Sequence, residues 1–163
     1  MKRFLIVMVL VAIIGAGTAF ADNGLGIGVL WGGSVENGLH NHAALSLKLP
    51  SMPIFWGIRL GIGDALYIGV QGDMYILQGN LMPTLSWFLG LGLYGNFYIG
   101  DAIGIGFGGR VPIGLRWRPI GLLEIFGNVT PQIGGYLGLG EHGSFMFPSG
   151  GYFGFELGVR LWL

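Results

Sequence analysis

Apolar and polar positions alternate with a period of two along most of the chain. From Leu85 the apolar residues are Leu85, Trp87, Leu89, Leu91 and Leu93, with Ser86, Phe88, Gly90, Gly92 and Tyr94 between them. Alternation of this kind puts one residue set on each face of an extended strand. A helix would scatter these glycines round its cylinder, at about 1 kcal/mol each relative to Ala. The same pattern recurs over residues 25–31, 43–49, 54–62, 66–76, 103–117, 123–133 and 153–163. With the segment from Leu85, these predict eight strands. The uncharged stretch between Asp73 and Asp101 is long enough for a spanning helix, but its period is two.

In each segment one face is wholly apolar and the other holds small or polar residues. Lys48, Arg59, Asp73, Arg110, Arg116, Glu124, Glu156 and Arg160 all fall on the second face. That is the inside-out pattern of a transmembrane barrel, apolar toward lipid and polar toward the lumen. The reading is therefore an all-β, eight-stranded antiparallel up-and-down transmembrane β-barrel. A soluble sandwich would have to offer water a surface of glycine, serine and eight charges. Composition agrees with the membrane. Only 10% of residues are charged, against about 25% in an ordinary domain, and the mean hydropathy is +0.67. A chain that is 52% hydrophobic and 13% aromatic is not disordered. Lys and Arg only match Asp and Glu, eight against eight, and no basic cluster follows residue 3, which excludes a nucleic-acid footprint. Cysteine is absent, so thiol catalysis and thiolate metal sites are excluded.

The N-terminus has the three-part layout of a secretory signal peptide. Lys2 and Arg3 precede an uncharged run, and Ala19-Phe20-Ala21 offers small residues at the cleavage positions. Residues 1–21 are expected to be removed, leaving 22–163 as the barrel. With both mature termini periplasmic, the periplasmic turns are expected at 50–53, 77–80 and 118–121. The outer loops are expected at 33–41, 63–65, 96–101 and 140–150. Trp56, Trp87, Trp117 and Trp162 would then form an aromatic girdle at the periplasmic rim, with Trp31 at the outer rim. Residues 62–70 resemble residues 99–107, each with a Gly-Asp turn pair, as expected of a repeated hairpin. Pro112 and Pro131 fall inside two long segments, where proline removes a ladder bond. They are expected where those strands bulge or leave the membrane.

The signal peptide, the eight alternating segments and the apolar last strand resemble the small eight-stranded outer-membrane barrels, the OmpA-like and OmpW-like proteins. The stretch Val111-Pro112-Ile113-Gly114-Leu115-Arg116-Trp117, then Pro119, Leu123-Glu124-Ile125-Phe126 and Pro131, is similar to a strand–turn–strand segment of poorly characterised spirochaete outer-membrane barrels. The resemblance implies residence in the bacterial outer membrane among its lipids and insertion by the barrel-assembly machinery. That family's last strand usually ends in an aromatic; here Leu163 follows Trp162. The resemblance also implies a monomer and a host or cell-surface ligand met through the outer loops.

Candidate chemistry is sparse. Gly104-x-Gly106-x-x-Gly109 and Gly90-x-Gly92-x-x-Gly95 match the dinucleotide fingerprint as strings, but neither leads into a helical pattern. His142, Ser144 and Glu156 could form a base, a nucleophile and an orienting acid. Their order resembles the lipid A 3-O-deacylase barrels, which carry Asn after the serine where this chain has Phe145. His40 and His42 share one strand face, but no third metal ligand is near in sequence. Asn128-Val129-Thr130 matches a glycosylation acceptor inside a strand. No metal, cofactor or nucleic acid is expected. The eight inward charges would pair into a plug, since an eight-stranded barrel is just wide enough for side chains to fill. Phe55, Tyr67, Tyr75, Phe88, Tyr94 and Phe126 could stack over the many glycines of the same face. The expected function is a non-enzymatic structural or surface-contact barrel. A narrow channel for small or apolar solutes is the alternative, and a lipid A deacylase stands behind both.

Overall fold

A computed structural model describes residues 24–35, 39–61, 66–100, 103–139 and 144–163. Residues 1–21, expected as a signal peptide, and Asp64, Asp101, Glu141 and His142 lie outside the described residues. Nine extended elements follow one another: β1 Gly26–Val35, β2 Leu39–Lys48, β3 Ile54–Gly61, β4 Leu66–Met82, β5 Leu85–Ile99, β6 Ile103–Arg110, β7 Ile113–Ile120, β8 Leu123–Leu139 and β9 Phe145–Trp162. All pairings are antiparallel, and β1 pairs with β9, which closes the sheet into a ring. β6 and β7 are two halves of one stave, because both pair with β5 and with β8. The barrel therefore has eight staves.

The break within that stave is made by Pro112. Gly92 pairs with Arg110 and Leu89 with Ile113, so the spacing is equal on both strands and no bulge forms. Gly90 N–H donates to Pro112 O at 2.8 Å, and Val111 N–H donates to Pro131 O at 2.9 Å. Neither proline has an N–H to return the bond. Both sit mid-wall with register kept, and β8 runs unbroken through Pro131. The expectation of bulges or membrane exits there is corrected. True irregularities lie elsewhere, between Tyr75 and Leu77 and between Trp117 and Ile120.

The first of these explains a second correction. Two steps along β5 answer three along β4, so the inward parity passes from Tyr75 to Gln78. The period-two pattern stops there, yet β4 continues to Met82 and turns at Pro83–Thr84 rather than at 77–80. Such one-residue insertions bend and twist the strand without ending it. On the other side, β5 continues past Asn96 to Ile99, so the expected loop at 96–101 begins four residues late.

Register also gives the pitch of the wall. Paired residues lead from Arg59 through Gly69, Asn96 and Gly106 to Tyr136 on β8. The opposite route through Ala44, Leu30 and Gly158 reaches β8 at Phe126, ten residues away. That stagger is the shear of the barrel, and it tilts eight staves by about 40°. Outward residues are apolar and exposed; Val29, Leu93, Val129 and Leu161 are examples. Inward residues form the core, and it is polar: Lys48, Arg110, Glu124, Thr130 and Arg160 are all 2% exposed or less.

Candidate functional site: the barrel lumen

All eight charges read from strand parity point into the lumen and are buried. Register and reach stack them into layers between the end that carries the termini and the opposite, far end.

The layer nearest the termini is built on Glu124, which is fully buried. Its carboxylate accepts from Arg160 Nη1, from Arg118 Nε at 2.8 Å and from Trp162 Nε1 at 3.2 Å. Arg160 Nη2 also donates to Ser46 Oγ at 2.9 Å, and its guanidinium lies 4.6 and 4.5 Å from the Phe55 and Phe126 rings. Phe55, Tyr75 and Phe88 stack across this level at centroid spacings of 4.2 and 4.1 Å. Lys48 Nζ donates to Leu49 O at 3.1 Å, and Arg116 Nη2 to Gln78 Oε1 at 2.5 Å. The rings find room because glycines stand beside them on the neighbouring strands. A side chain at Gly158 would collide with Phe126, and one at Gly114 with Phe88.

The middle layer is built on Arg110, which is 1% exposed. Its Nε lies 3.0 Å from Asp73 Oδ1, an ion pair out of line for a hydrogen bond. Its Nη2 reaches Glu156 at 2.8 Å, and its Nη1 donates to Gln71 Oε1. Gln71 Nε2 and Asn128 Nδ2 also donate to Glu156, at 2.9 and 3.0 Å, and Thr130 Oγ1 donates to Asn128 at 2.6 Å. Each carboxylate here is paired, as buried charge requires.

The far layer differs. Arg59 Nη2 donates to Asn96 Oδ1 at 2.8 Å, and Asn96 Nδ2 to Tyr98 OH at 3.1 Å. Arg59 has no carboxylate partner among the described residues. Tyr67, Tyr98 and Tyr136 form a chain of rings 5.4 and 5.9 Å apart. Tyr152 OH donates to Tyr94 OH at 2.6 Å.

Three sequence expectations change here. Trp162 is not a girdle residue: it is 7% exposed, its indole N–H bonds Glu124 inside the lumen, and Arg118 lies 4.3 Å from its ring. Even parity shared with Arg160 puts it inward, and Glu124 gives its N–H a partner. Trp31, Trp87 and Trp117 do face outward, at 50, 37 and 46% exposure. Trp56, which shares that parity, is half-buried. Trp31 stands opposite Leu157, one residue from the level of Glu156, not at an end of its strand. Arg118, expected in the turn 118–121, is a lumen-rim partner of Glu124 at 2.7 Å. Gln71, Asn96, Asn128 and Thr130 carry no charge to mark them in the sequence, although their parity is the same inward one.

Of the candidate triad, His142 lies outside the described residues. Glu156 is committed to Arg110, Gln71 and Asn128 in the middle layer. Ser144 lies at the far rim, where its carbonyl accepts from Gly138 N–H at 2.8 Å. The two glycine strings lie in β5 and β6, extended throughout with no helix after them. Among the described residues no three His, Cys, Asp or Glu gather to hold a metal.

A closed antiparallel ring with an apolar outer wall and ion pairs within is a transmembrane β-barrel of the outer-membrane type. A solved structure agrees on the fold: Neisserial surface protein A superposes with a TM-score of 0.51 at 9% identity, covering 86% of this chain and 96% of that one. A major outer membrane protein from Thermus thermophilus aligns with a TM-score of 0.48 at 11% identity, over 85% and 99% of the two chains. No family model matches the sequence, and no curated protein does.

Proposed function

We propose that this protein is an integral outer-membrane barrel with a closed lumen, non-enzymatic, serving as a structural and surface-contact element. Its termini end faces the periplasm and its far end faces outward. One observation carries the reading. Glu124, Arg160, Arg118 and Trp162 knot together directly beside the Phe55–Tyr75–Phe88 stack, and the Arg110 knot lies above them. Two successive levels of bonded, buried side chains leave a solute no path along the axis. The bonding of Glu156 to Arg110 takes the acid of the candidate triad away from Ser144, which supports the non-enzymatic reading. The outer wall suits lipid as its partner, and the period-two last strand suits insertion by the barrel-assembly machinery. The experiment is single-channel recording of the refolded mature chain in planar bilayers. Silent membranes, with heat-modifiable migration proving that the barrel is folded, are expected; reproducible unitary steps would refute closure.

A further inference from the structure

The lipid-facing wall is uneven on one side. Among the described strand residues, Leu93 on β5 is the most exposed large apolar side chain, at 72%. Register gives the reason. Its cross-strand neighbours are Gly72 on β4 and Gly109 on β6, and Gly95 stands two residues further along the same face. A Cβ added at Gly95 or Gly109 would meet nothing within 4 Å. One added at Gly72 would first meet the Ile54 and Trp56 side chains, at 3.2 and 3.3 Å. Leu93 is therefore a knob with bare backbone on either side. Beside it the wall dips into a hollow of about 520 Å³, lined by Gly72 and Gly95 with Trp56, Val70, Met74 and Leu93 round them.

The hollow lies at mid-height. Gly72 stands between Gln71 and Asp73, and Gly109 precedes Arg110, so the row Gly72–Leu93–Gly109 runs outside the middle layer of the lumen. At that depth the surroundings are hydrocarbon, and an occupant of the hollow must be apolar. Lipid tails are as apolar as leucine, so apolarity alone brings no partner to this wall. Close packing does, and small residues beside a projecting one allow two backbones to approach.

The knob also stands on the tall side of the barrel. β1, β2 and β3 have 10, 10 and 8 residues, whereas β4, β5 and β8 have 17, 15 and 17. A tilted strand climbs about 2.5 Å per residue along the axis, so the short side matches an apolar band of about 25 Å and the tall side reaches about 40 Å. The added height is not polar. Phe97, Ile99, Ile103, Ile105, Leu137 and Leu139 face outward there, each at least 36% exposed. An apolar wall taller than the bilayer round it costs free energy in lipid, and such mismatch favours association.

We propose that this β4–β5–β6 face pairs two copies of the chain in the membrane. Both copies insert in the same direction, so the pair has a two-fold axis along the membrane normal and offers the same patch from each side. Knob and hollow are neighbours in one row. An axis between them sets each Leu93 against the other copy's hollow at Gly72, and the tall walls cover each other. The resemblance to small barrels implies a monomer; the shape of this face fits a pair. The pairing uses the outer wall alone and is indifferent to whether the lumen conducts.

The chain has no cysteine, so single ones can carry a nitroxide, attached in the unfolded state before refolding into phospholipid vesicles. Ile113→Cys borders the face on β7 and is 50% exposed. Val29→Cys is 64% exposed on β1, four staves from β5. Double electron–electron resonance should give a narrow, short distance between copies from Ile113→Cys and none from Val29→Cys. Dilution with lipid then gives the dissociation midpoint. Leu93→Ala, in the Ile113→Cys background, should weaken pairing about tenfold or more. Gly95→Leu fills the hollow where its own barrel leaves room, and should weaken pairing similarly. Heat-modifiable migration shows which variants fold, and Leu93→Ala decides if Gly95→Leu does not. No short distance from the wild-type face, an equally short one from Val29→Cys, or unweakened pairing by folded Leu93→Ala would overturn the proposal and leave the hollow to lipid chains.

Discussion

Glu124→Ala removes the one acceptor that three donors share near the termini. Arg160 then keeps Ser46 and the Phe55, Phe126 and Trp162 rings, but loses its counter-ion while its side chain is 2% exposed. Breaking a buried pair from one side costs about 3–5 kcal/mol, because a charge is left uncompensated. Arg118 contributes little to that sum. Its side chain is 31% exposed, so it turns to water when Glu124 is lost, and an ion pair so placed is worth about 1 kcal/mol or less. Arg118→Ala should therefore cost far less than Glu124→Ala, with some loss of packing on Trp162. Replacing both members of the inner pair, Glu124→Leu with Arg160→Met, should recover much of the loss, since apolar side chains of similar volume often substitute for a buried pair. The assay is urea unfolding of the mature barrel refolded in phospholipid vesicles, followed by tryptophan fluorescence. Equal midpoints for the wild type and Glu124→Ala would refute the reasoning, and would mean that the lumen there is wet. A double variant weaker than Glu124→Ala alone would show that the pair itself, not the orphaned charge, sets the cost.

Trp162 buried in the lumen should escape quenching by brominated lipid in a variant that keeps only that tryptophan, while Trp31 and Trp117 alone should be quenched strongly. Strong quenching of Trp162 would return it to the lipid face. Gly158→Val should drive a side chain into Phe126 and destabilise the barrel by about 1–3 kcal/mol, read as a lower urea midpoint. Adding Phe126→Ala should relieve the clash, and an unrelieved double variant would place the Phe126 ring elsewhere.

The strand count, the closed barrel and the two faces were legible in the sequence because side chains alternate strictly in an extended chain. The eight inward charges were legible for the same reason, since burial of each depends only on its parity. Pairing was not. Arg110 meets Asp73 and Glu156 two staves away on either side, at sequence distances that no local pattern encodes, and the stagger between staves decides which inward residues share a level. The bulge after Tyr75 hid the end of β4, because one added residue reverses parity and breaks the alternation. Trp162 carried both signals, inward parity and a tryptophan near a chain end, and Glu124 on the neighbouring strand settled it by accepting its N–H. Arg59 shows the same division most plainly. The sequence marks it as an inward cation like the rest. Only the closed ring uses Asp73, Glu124 and Glu156 on other arginines and leaves Arg59 to Asn96 and the face of the Tyr94 ring, because a carboxylate can neutralise only the cations that register brings within reach.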